Sequence, residues 1–303
     1  MAAVAAHRRE IDGLRAVAVI PVILFHAGLP AFGGGYVGVD VFFVISGFLI
    51  TSVILAEQDA GTFSILRFYD RRARRILPAL FFVVAATLPF AWFWMMPDRL
   101  KEYAQSVTAV GLFGSNIFFS QHQGYFDAKS EFLPLLHTWS LAVEEQYYLV
   151  APLLLFVVGR LGRRAVLGTL LAIGAGSLAW AHLHARGDSS PDFYLVQSRA
   201  WELALGGVAG CLNTGSLTAQ LSRVARETLA LLGLSLILLA VFWFDRRTQM
   251  PGLVALIPTV GTAAVLLASS PDTLVGRWLG HRSVVAVGLV SYSAYLWHQP
   301  LFA

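Results

Sequence analysis

Runs of roughly twenty apolar residues, each long enough to cross a bilayer, recur from one end of this chain to the other. They occupy 11–30, 36–56, 76–96, 141–158, 165–184, 200–213, 228–244 and 251–269, and a last run begins near 283. Hydrocarbon offers the backbone no hydrogen-bond partners, so such runs must satisfy their own peptide groups, and at this length they do so as helices. The expected fold class is therefore all-α: a polytopic transmembrane helix bundle of about nine spans. Composition agrees, with 57% hydrophobic and 13% charged residues and a mean hydropathy of +0.66, against roughly 25% charged residues in soluble domains. Aromatic residues such as Trp92, Trp94, Tyr147, Trp201 and Trp243 gather at the run ends, as interfacial belts do.

The first run follows Arg8-Arg9, but Arg15 interrupts it and no small-residue cleavage site follows, so it reads as a span rather than a signal peptide. The single cysteine, Cys211, excludes an internal disulfide and a cysteine metal cluster. A net charge of +4 in such a chain speaks of topology rather than nucleic-acid binding. No phosphate-binding loop, dinucleotide fingerprint, zinc-protease motif or internal repeat is present, and no metal site is expected.

Segment 103–121 is amphipathic and carries Gln105, Ser106, Ser115 and Asn116. It either crosses the membrane or lies re-entrant or interfacial on the outer side, and the choice inverts every later loop. If it does not cross and the N-terminus is cytoplasmic, the inner side holds 15 basic residues: Arg8, Arg9, Arg15, the five arginines of 67–75, Arg160, Arg163, Arg164, Arg223, Arg226, Arg277 and Arg282. The outer side then holds 7: Arg99, Lys101, Lys129, Arg186, Arg199, Arg246 and Arg247. If it crosses, the split narrows to 13 against 9, so the positive-inside rule favours the first arrangement. That leaves 97–140, with Tyr125-Phe126-Asp127 and His137, as one outer region. The chain reads as a single membrane domain over 1–303, and its ending at Pro300-Leu301-Phe302-Ala303 suggests a C-terminal truncation.

Charge inside a membrane needs a reason. Arg15 and His26 are eleven residues apart, which on a helix returns them to within ~20° of one face and separates them by ~16 Å. His26 is thus expected about halfway across, where an imidazole exchanges protons near neutral pH; the alternative is a snorkelling arginine and a hydrogen-bonded core histidine. The loop 57–77 ends in Asp70-Arg71-Arg72-Ala73-Arg74-Arg75. Helical spacing would pair Arg71 with Arg74 and Arg75, and Arg72 with Arg75. Arginine forks suit phosphate, although a basic cluster beside a span also serves as a topology anchor. A third cluster runs from His137 through Trp139, Ser140, Glu144 and Glu145, with His137, Ser140 and Glu144 on one helical face. The carboxylates could hold a proton, orient a histidine or bind sugar hydroxyls, or simply favour a helix N-terminus. Asp40, after Gly33-Gly34-Gly35 and Gly38, is either a buried partner for a cation or an outer-surface residue. His182, His184, Glu202 and the Gly206-xxx-Gly210 pair read as interfacial or packing features.

These residues lie in blocks that together resemble the acyltransferase-3 family of bacterial membrane O-acetyltransferases. The blocks are REIDGLRAVAVIPVILFHAG, GGGYVGVDVFFVISGFLIT, FYDRRARRILPAL, GYFD with PLLHTWSLAVEEQYYLVAP, and SYSAYLWHQPL. The resemblance implies a cytoplasmic acyl-CoA donor, usually acetyl-CoA, and as acceptor a hydroxyl of an envelope glycan such as lipopolysaccharide O-antigen, capsule or peptidoglycan. It further implies a multi-pass protein of the bacterial inner membrane with a cytoplasmic N-terminus, touching lipid, glycan and acyl-CoA but no nucleic acid. His26 would be the catalytic base, assisted by Glu144 or Glu145. Arg15 with the family's RxxR pair would hold donor phosphates; Arg72/Arg75 fits the block best and Arg71/Arg74 is the other frame. Asp40, His137, Trp139 and Ser140 would support substrate or structure. The wording of the last two blocks resembles the subgroup in which an SGNH domain follows the membrane part, so the last span or spans and that domain are expected to be missing. The different-class alternative is a polytopic transporter or glycan flippase.

Overall fold

The structure is a computed structural model that describes residues 7–122, 125, 132–184, 191–213 and 221–303. Phe126, Asp127, Lys129 and Arg186 lie outside the described residues. Every regular element described is helical. Helix α1 spans Arg9–His26, α2 Gly38–Asp59, α3 Ile65–Trp94, α4 Pro97–Gly111, α5 Ser115–His122 and α6 Thr138–Gly159. The remainder are α7 Arg163–His184, α8 Val196–Asn213, α9 Arg223–Trp243, α10 Leu256–Ala268, α11 Leu274–Leu279 and α12 Arg282–Phe302.

Five segments are long and apolar enough to cross a membrane: Gly35–Asp59, Ile65–Trp94, Thr138–Gly159, Arg163–His184 and Arg223–Trp243. Of the others, α1 carries Glu10, Asp12 and Arg15, α8 carries Arg199 and Glu202, and α10 has only 13 residues behind a single 3-10 turn. One face of α3, with Phe81, Phe82, Phe90, Trp92, Phe93 and Trp94, is exposed; such a band suits lipid.

Side-chain contacts fix the direction of each helix. His298 lies beside His26 and Gly288 beside Asp12, so α12 runs parallel to α1. Tyr292 on Ile76 and Trp297 on Phe82 make α3 parallel to both. Ser46 meets Glu144 and Gln58 meets the Leu155 carbonyl, so α2 and α6 run together, opposite to α1. Asp40 meets Arg199 and Phe48 meets Gly210, which adds α8 to that set, with α7 antiparallel to it through Ser177 and Gln197. Arg226 at the start of α9 bonds Asp272 just past α10, so those two are also antiparallel. All fifteen basic residues counted above as inner therefore gather at one end of the bundle, called here the arginine end.

Close approach explains how α2 and α8 pack. A Cβ on Gly47 would sit 1.9 Å from the Leu203 carbonyl oxygen, and one on Gly206 2.0 Å from that of Val44. Only glycine lets the α2 and α8 backbones touch in this way, as small residues do between membrane helices.

Several boundaries differ from the sequence reading. Helix α3 starts at Ile65, capped by Ser64 accepting from the Arg67 amide, so the arginine run is the first part of a 30-residue helix rather than a loop. Its hydropathy is lowered by the arginines, which hid its start. Segment 103–121 lies within α4 and α5, which are separated at Leu112–Gly114 with Phe113 at φ 52°. The gap is held by Gln146 of α6, which donates to the Phe113 carbonyl (2.9 Å) and to Asn116 Oδ1 (2.8 Å). Helix α1 stops at His26 rather than near residue 30, because Gly28 turns left-handed (φ 74°) ahead of Pro30.

Candidate functional site

Three helices each turn one stripe of side chains, spaced three or four residues apart, towards a common line, and two more add to it. On α2 the stripe is Val39, Phe42/Phe43, Ser46 and Leu49; on α6 it is Ser140/Leu141, Glu144 and Tyr148; on α12 it is Gly288, Ser291/Tyr292 and Tyr295. Helix α1 contributes Arg15, and α3 adds Arg72, Arg75 and Ile76 at the arginine end. Together they enclose a cavity of about 110 Å³. Arg15, Leu49, Arg75 and Leu289 also border a wider recess of about 730 Å³, lined further by His7, Arg8, Asp12, Ser52, Glu57 and Asn213. The recess opens beside the helix starts at the arginine end, and the cavity continues it inward.

Helical geometry separates the two arginine frames. Arg72 and Arg75 line the cavity, and Arg72 lies 4.9 Å over the Tyr148 ring. Arg71 turns away to pair with Glu57 (2.7 Å), and Arg74 pairs with Asp70 (2.9 Å) in solvent. Two cations thus face the cavity without a carboxylate in salt-bridge contact, while their neighbours are already paired. Arg15 touches Asp12 only distantly, at 3.5 Å. Among the cavity's side chains, Glu144 is the carboxylate; its Oε1 accepts from the Ser46 hydroxyl at 2.6 Å. Glu145 is one residue round the helix and does not line the cavity; its Oε1 is buried without a hydrogen-bond partner.

At its far end the cavity is closed by a hydroxyl pair. Ser140 Oγ and Tyr295 Oη lie 2.6 Å apart, and both reach the His137 carbonyl, at 3.2 and 2.9 Å. Beyond them three imidazoles meet: His26 lies 4.9 Å and His137 5.4 Å from His298, ring centre to ring centre. His26 Nδ1 lies 2.8 Å from the Val22 carbonyl, which can only accept, so that nitrogen carries the proton and Nε2 presents a lone pair. Nε2 faces the Tyr125 hydroxyl at 3.5 Å. His26 is the last residue of α1, which ends there because of the turn at Gly28. The three rings do not form a metal-binding set; no group of three or more His, Cys, Asp or Glu among the described residues does.

Asp40 and Trp139 lie off this line, in a second cluster. Arg199 Nη1 donates both to Asp40 Oδ1 at 2.8 Å and to Glu202 Oε1 at 3.0 Å, with all three side chains at most 2% exposed. The guanidinium also donates to the Phe193 carbonyl (3.0 Å) and lies over the Phe193 and Trp139 rings, 4.3 and 5.4 Å from their centres. Asp40 is therefore the buried partner of a cation. Arg199, counted from sequence as an outer loop charge, and Glu202, taken as interfacial, are both buried because α8 begins at Val196 and carries them into contact with α2.

The arrangement brings Arg15, Arg72, Arg75, Ser140, Glu144, His137 and His26 into one row, and leaves Arg71, Arg74, Glu145, Asp40 and Trp139 outside it. Sequence reasoning missed Ser46, Tyr292, Tyr295 and His298. The last three lie in a quoted block, SYSAYLWHQPL, and their spacing of three residues was the available signal.

The family model described as an acyltransferase domain matches residues 8–303. A putative membrane-bound transacylase, BcsY, of Komagataeibacter xylinus is 35% identical over 97% of this chain and 72% of its own length. The O-acetyltransferase OatA of Staphylococcus aureus is 32% identical over 96% of this chain and 50% of its own length. The peptidoglycan O-acetyltransferase OatA of Listeria monocytogenes is 31% identical over 96% of this chain and 49% of its own. The chain thus spans about half the length of the two OatA relatives. No solved structure matches.

Proposed function

The chain belongs to the acyltransferase family whose model it matches almost end to end, and from that premise we propose how its row of side chains is used. It is a membrane acyltransferase, not the transporter that many apolar spans also allow. In our reading it takes an acyl group, acetyl first, from acyl-CoA at the arginine end and delivers it to a hydroxyl of a cell-envelope glycan at the histidine end. Arg72, Arg75 and Arg15 hold donor phosphates, for which guanidinium forks are suited. The thioester arm lies along the cavity past Glu144. His26 Nε2 removes the proton from the acceptor hydroxyl, whose oxygen forms the new bond to the acyl carbon as the carbon–sulfur bond breaks; the proton then passes to the thiolate. In this reading α1, α2, α3, α6, α7, α8, α9, α10 and α12, which alternate in direction, cross the bilayer, with α4 and α5 on the histidine side, and the arginine-rich end faces the cytoplasm of a bacterial inner membrane.

One observation carries this reading: cavity-facing cations and His26, its ring fixed through Nδ1 by the Val22 carbonyl, lie at opposite ends of one polar line through an apolar bundle. Acceptor class rests on the Listeria relative, named a peptidoglycan O-acetyltransferase, which favours a glycan such as peptidoglycan over a small alcohol. The test uses the protein in liposomes, with radiolabelled acetyl-CoA on the arginine side and peptidoglycan oligosaccharides on the other. Label is expected to move to the glycan, and His26→Ala is expected to abolish transfer while donor binding persists. Full transfer by His26→Ala would remove the mechanism, and a reporter fused after residue 162 that maps outside would invert the topology.

A further inference from the structure

His298 is 3% exposed, and its Nε2 makes no hydrogen bond. Its Nδ1 lies 2.5 Å from the Tyr295 carbonyl one turn back on α12. A carbonyl oxygen only accepts, so Nδ1 carries the proton and Nε2 is a bare lone pair. His26 is held in the same way by Val22. Two helices therefore deliver two imidazoles, 4.9 Å apart and tilted by 59°, in one tautomer. The Tyr295 hydroxyl does not supply a donor, since it is engaged with His137 and Ser140. Such a nitrogen calls for a donor that arrives with a ligand.

We propose that His298 is a second base of the acyl-transfer site, placed so that the proton leaving the acceptor hydroxyl is held between Nε2 of His26 and Nε2 of His298. The inference rests on the reading of the row as an acyl-transfer site and deepens it. The acceptor O–H bond breaks, its oxygen bonds the acyl carbon, the thioester C–S bond breaks, and the shared proton ends on the departing thiolate of the acyl-CoA. His26 keeps its approach to Tyr125, and His298 serves the side nearer the Ser140–Tyr295 pair, where the cavity ends. The ligand class is an alcohol that donates its proton, as a sugar hydroxyl does, rather than an amine that arrives charged.

The test uses the purified chain in lipid nanodiscs with acetyl-CoA as donor and soluble peptidoglycan oligosaccharides as the acceptor probe. His298→Ala is expected to lower kcat roughly 100-fold or more, within the range of a lost general base, and to leave the KM for acetyl-CoA unchanged. Added imidazole should restore turnover to this variant, whereas pyrazole, of the same size but barely basic, should not. An unchanged kcat, or equal rescue by both azoles, overturns the second base and leaves a packing role. A wild-type protein that neither releases CoA nor acylates the glycan overturns the acyl-transfer reading instead. Independently of turnover, nitrogen NMR of histidine-labelled protein, with His298→Gln as the assignment control, should show His298 protonated on Nδ1 and bare on Nε2 at neutral pH. The opposite tautomer would sink the inference whatever the activity.

Discussion

Replacing the arginines of the RxxR region one at a time separates phosphate binding from topology anchoring. Arg72 is half-buried and lines the cavity beside Tyr148; Arg75 also lines it but is more exposed; Arg74 is solvent-exposed and paired with Asp70. A hydrogen bond to a charged group contributes about 1.5–3 kcal/mol, so Arg72→Ala is expected to weaken acetyl-CoA binding roughly 10- to 150-fold. Solvent screening at Arg75 reduces its share to about 1 kcal/mol, or roughly fivefold. Arg74→Ala removes only an exposed i,i+4 pair, worth a few tenths of a kcal/mol, and should leave affinity within about twofold. Isothermal titration of acetyl-CoA into detergent-solubilised protein measures all three, and the Arg75 effect should shrink with added salt more than the Arg72 effect. Equal losses for Arg72→Ala and Arg74→Ala would refute the assignment, because an anchor acts by charge alone and cannot distinguish the two faces of α3.

Two further predictions concern the scaffold. Arg199→Met leaves Asp40 and Glu202 buried without their cation and should destabilise the fold by about 3–5 kcal/mol, read as a lower thermal midpoint in detergent; adding Asp40→Asn and Glu202→Gln should recover much of that loss. Gly47→Leu places a side chain where a Cβ already meets the Leu203 carbonyl at 1.9 Å, so α2 and α8 must separate and the protein should fail to accumulate in the membrane; normal yield would mean the close approach is not required.

Much of the architecture was legible because lipid imposes one rule on every span, and the long apolar runs announced α2, α6, α7 and α9 directly. Legibility failed where function and membrane signal compete. Helices α1 and α8 carry Arg15, Arg199 and Glu202, and those charges both blur the span and define its role. Spacing within a helix put Ser140 and Glu144 on one face, and both line the cavity. It could not choose between Arg72/Arg75 and Arg71/Arg74, because that depends on where Glu57 and Tyr148 stand in space. Nor could it find His298, which becomes noteworthy only when α12 lies parallel to α1 and brings residue 298 beside residue 26.

The parallel placement of α1 and α12 bears on why a transfer between two faces can use a single site. A Cβ on Gly288 would lie 1.7 Å from the Asp12 carbonyl oxygen, so the two backbones are in contact at the arginine end. Neither helix can slide along the other there without a clash. Ten residues further along α12, a rise of about 15 Å, the same pair of helices sets His298 against His26. Arg15 and Tyr292 lie between these points, on the same two helices. The distance from Arg15 to the imidazoles is therefore fixed by two rigid elements joined at one end, rather than by loops that could breathe independently. A donor with a phosphate at Arg15 would meet the histidines at one defined reach. The seal between them is small, two hydroxyls 2.6 Å apart on Ser140 and Tyr295. A thin arm can displace such a pair at the cost of about one or two neutral hydrogen bonds, whereas hydrated ions face the full apolar wall around it. Under the proposed mechanism, that difference would let an acyl group pass through the bundle while the membrane stays closed.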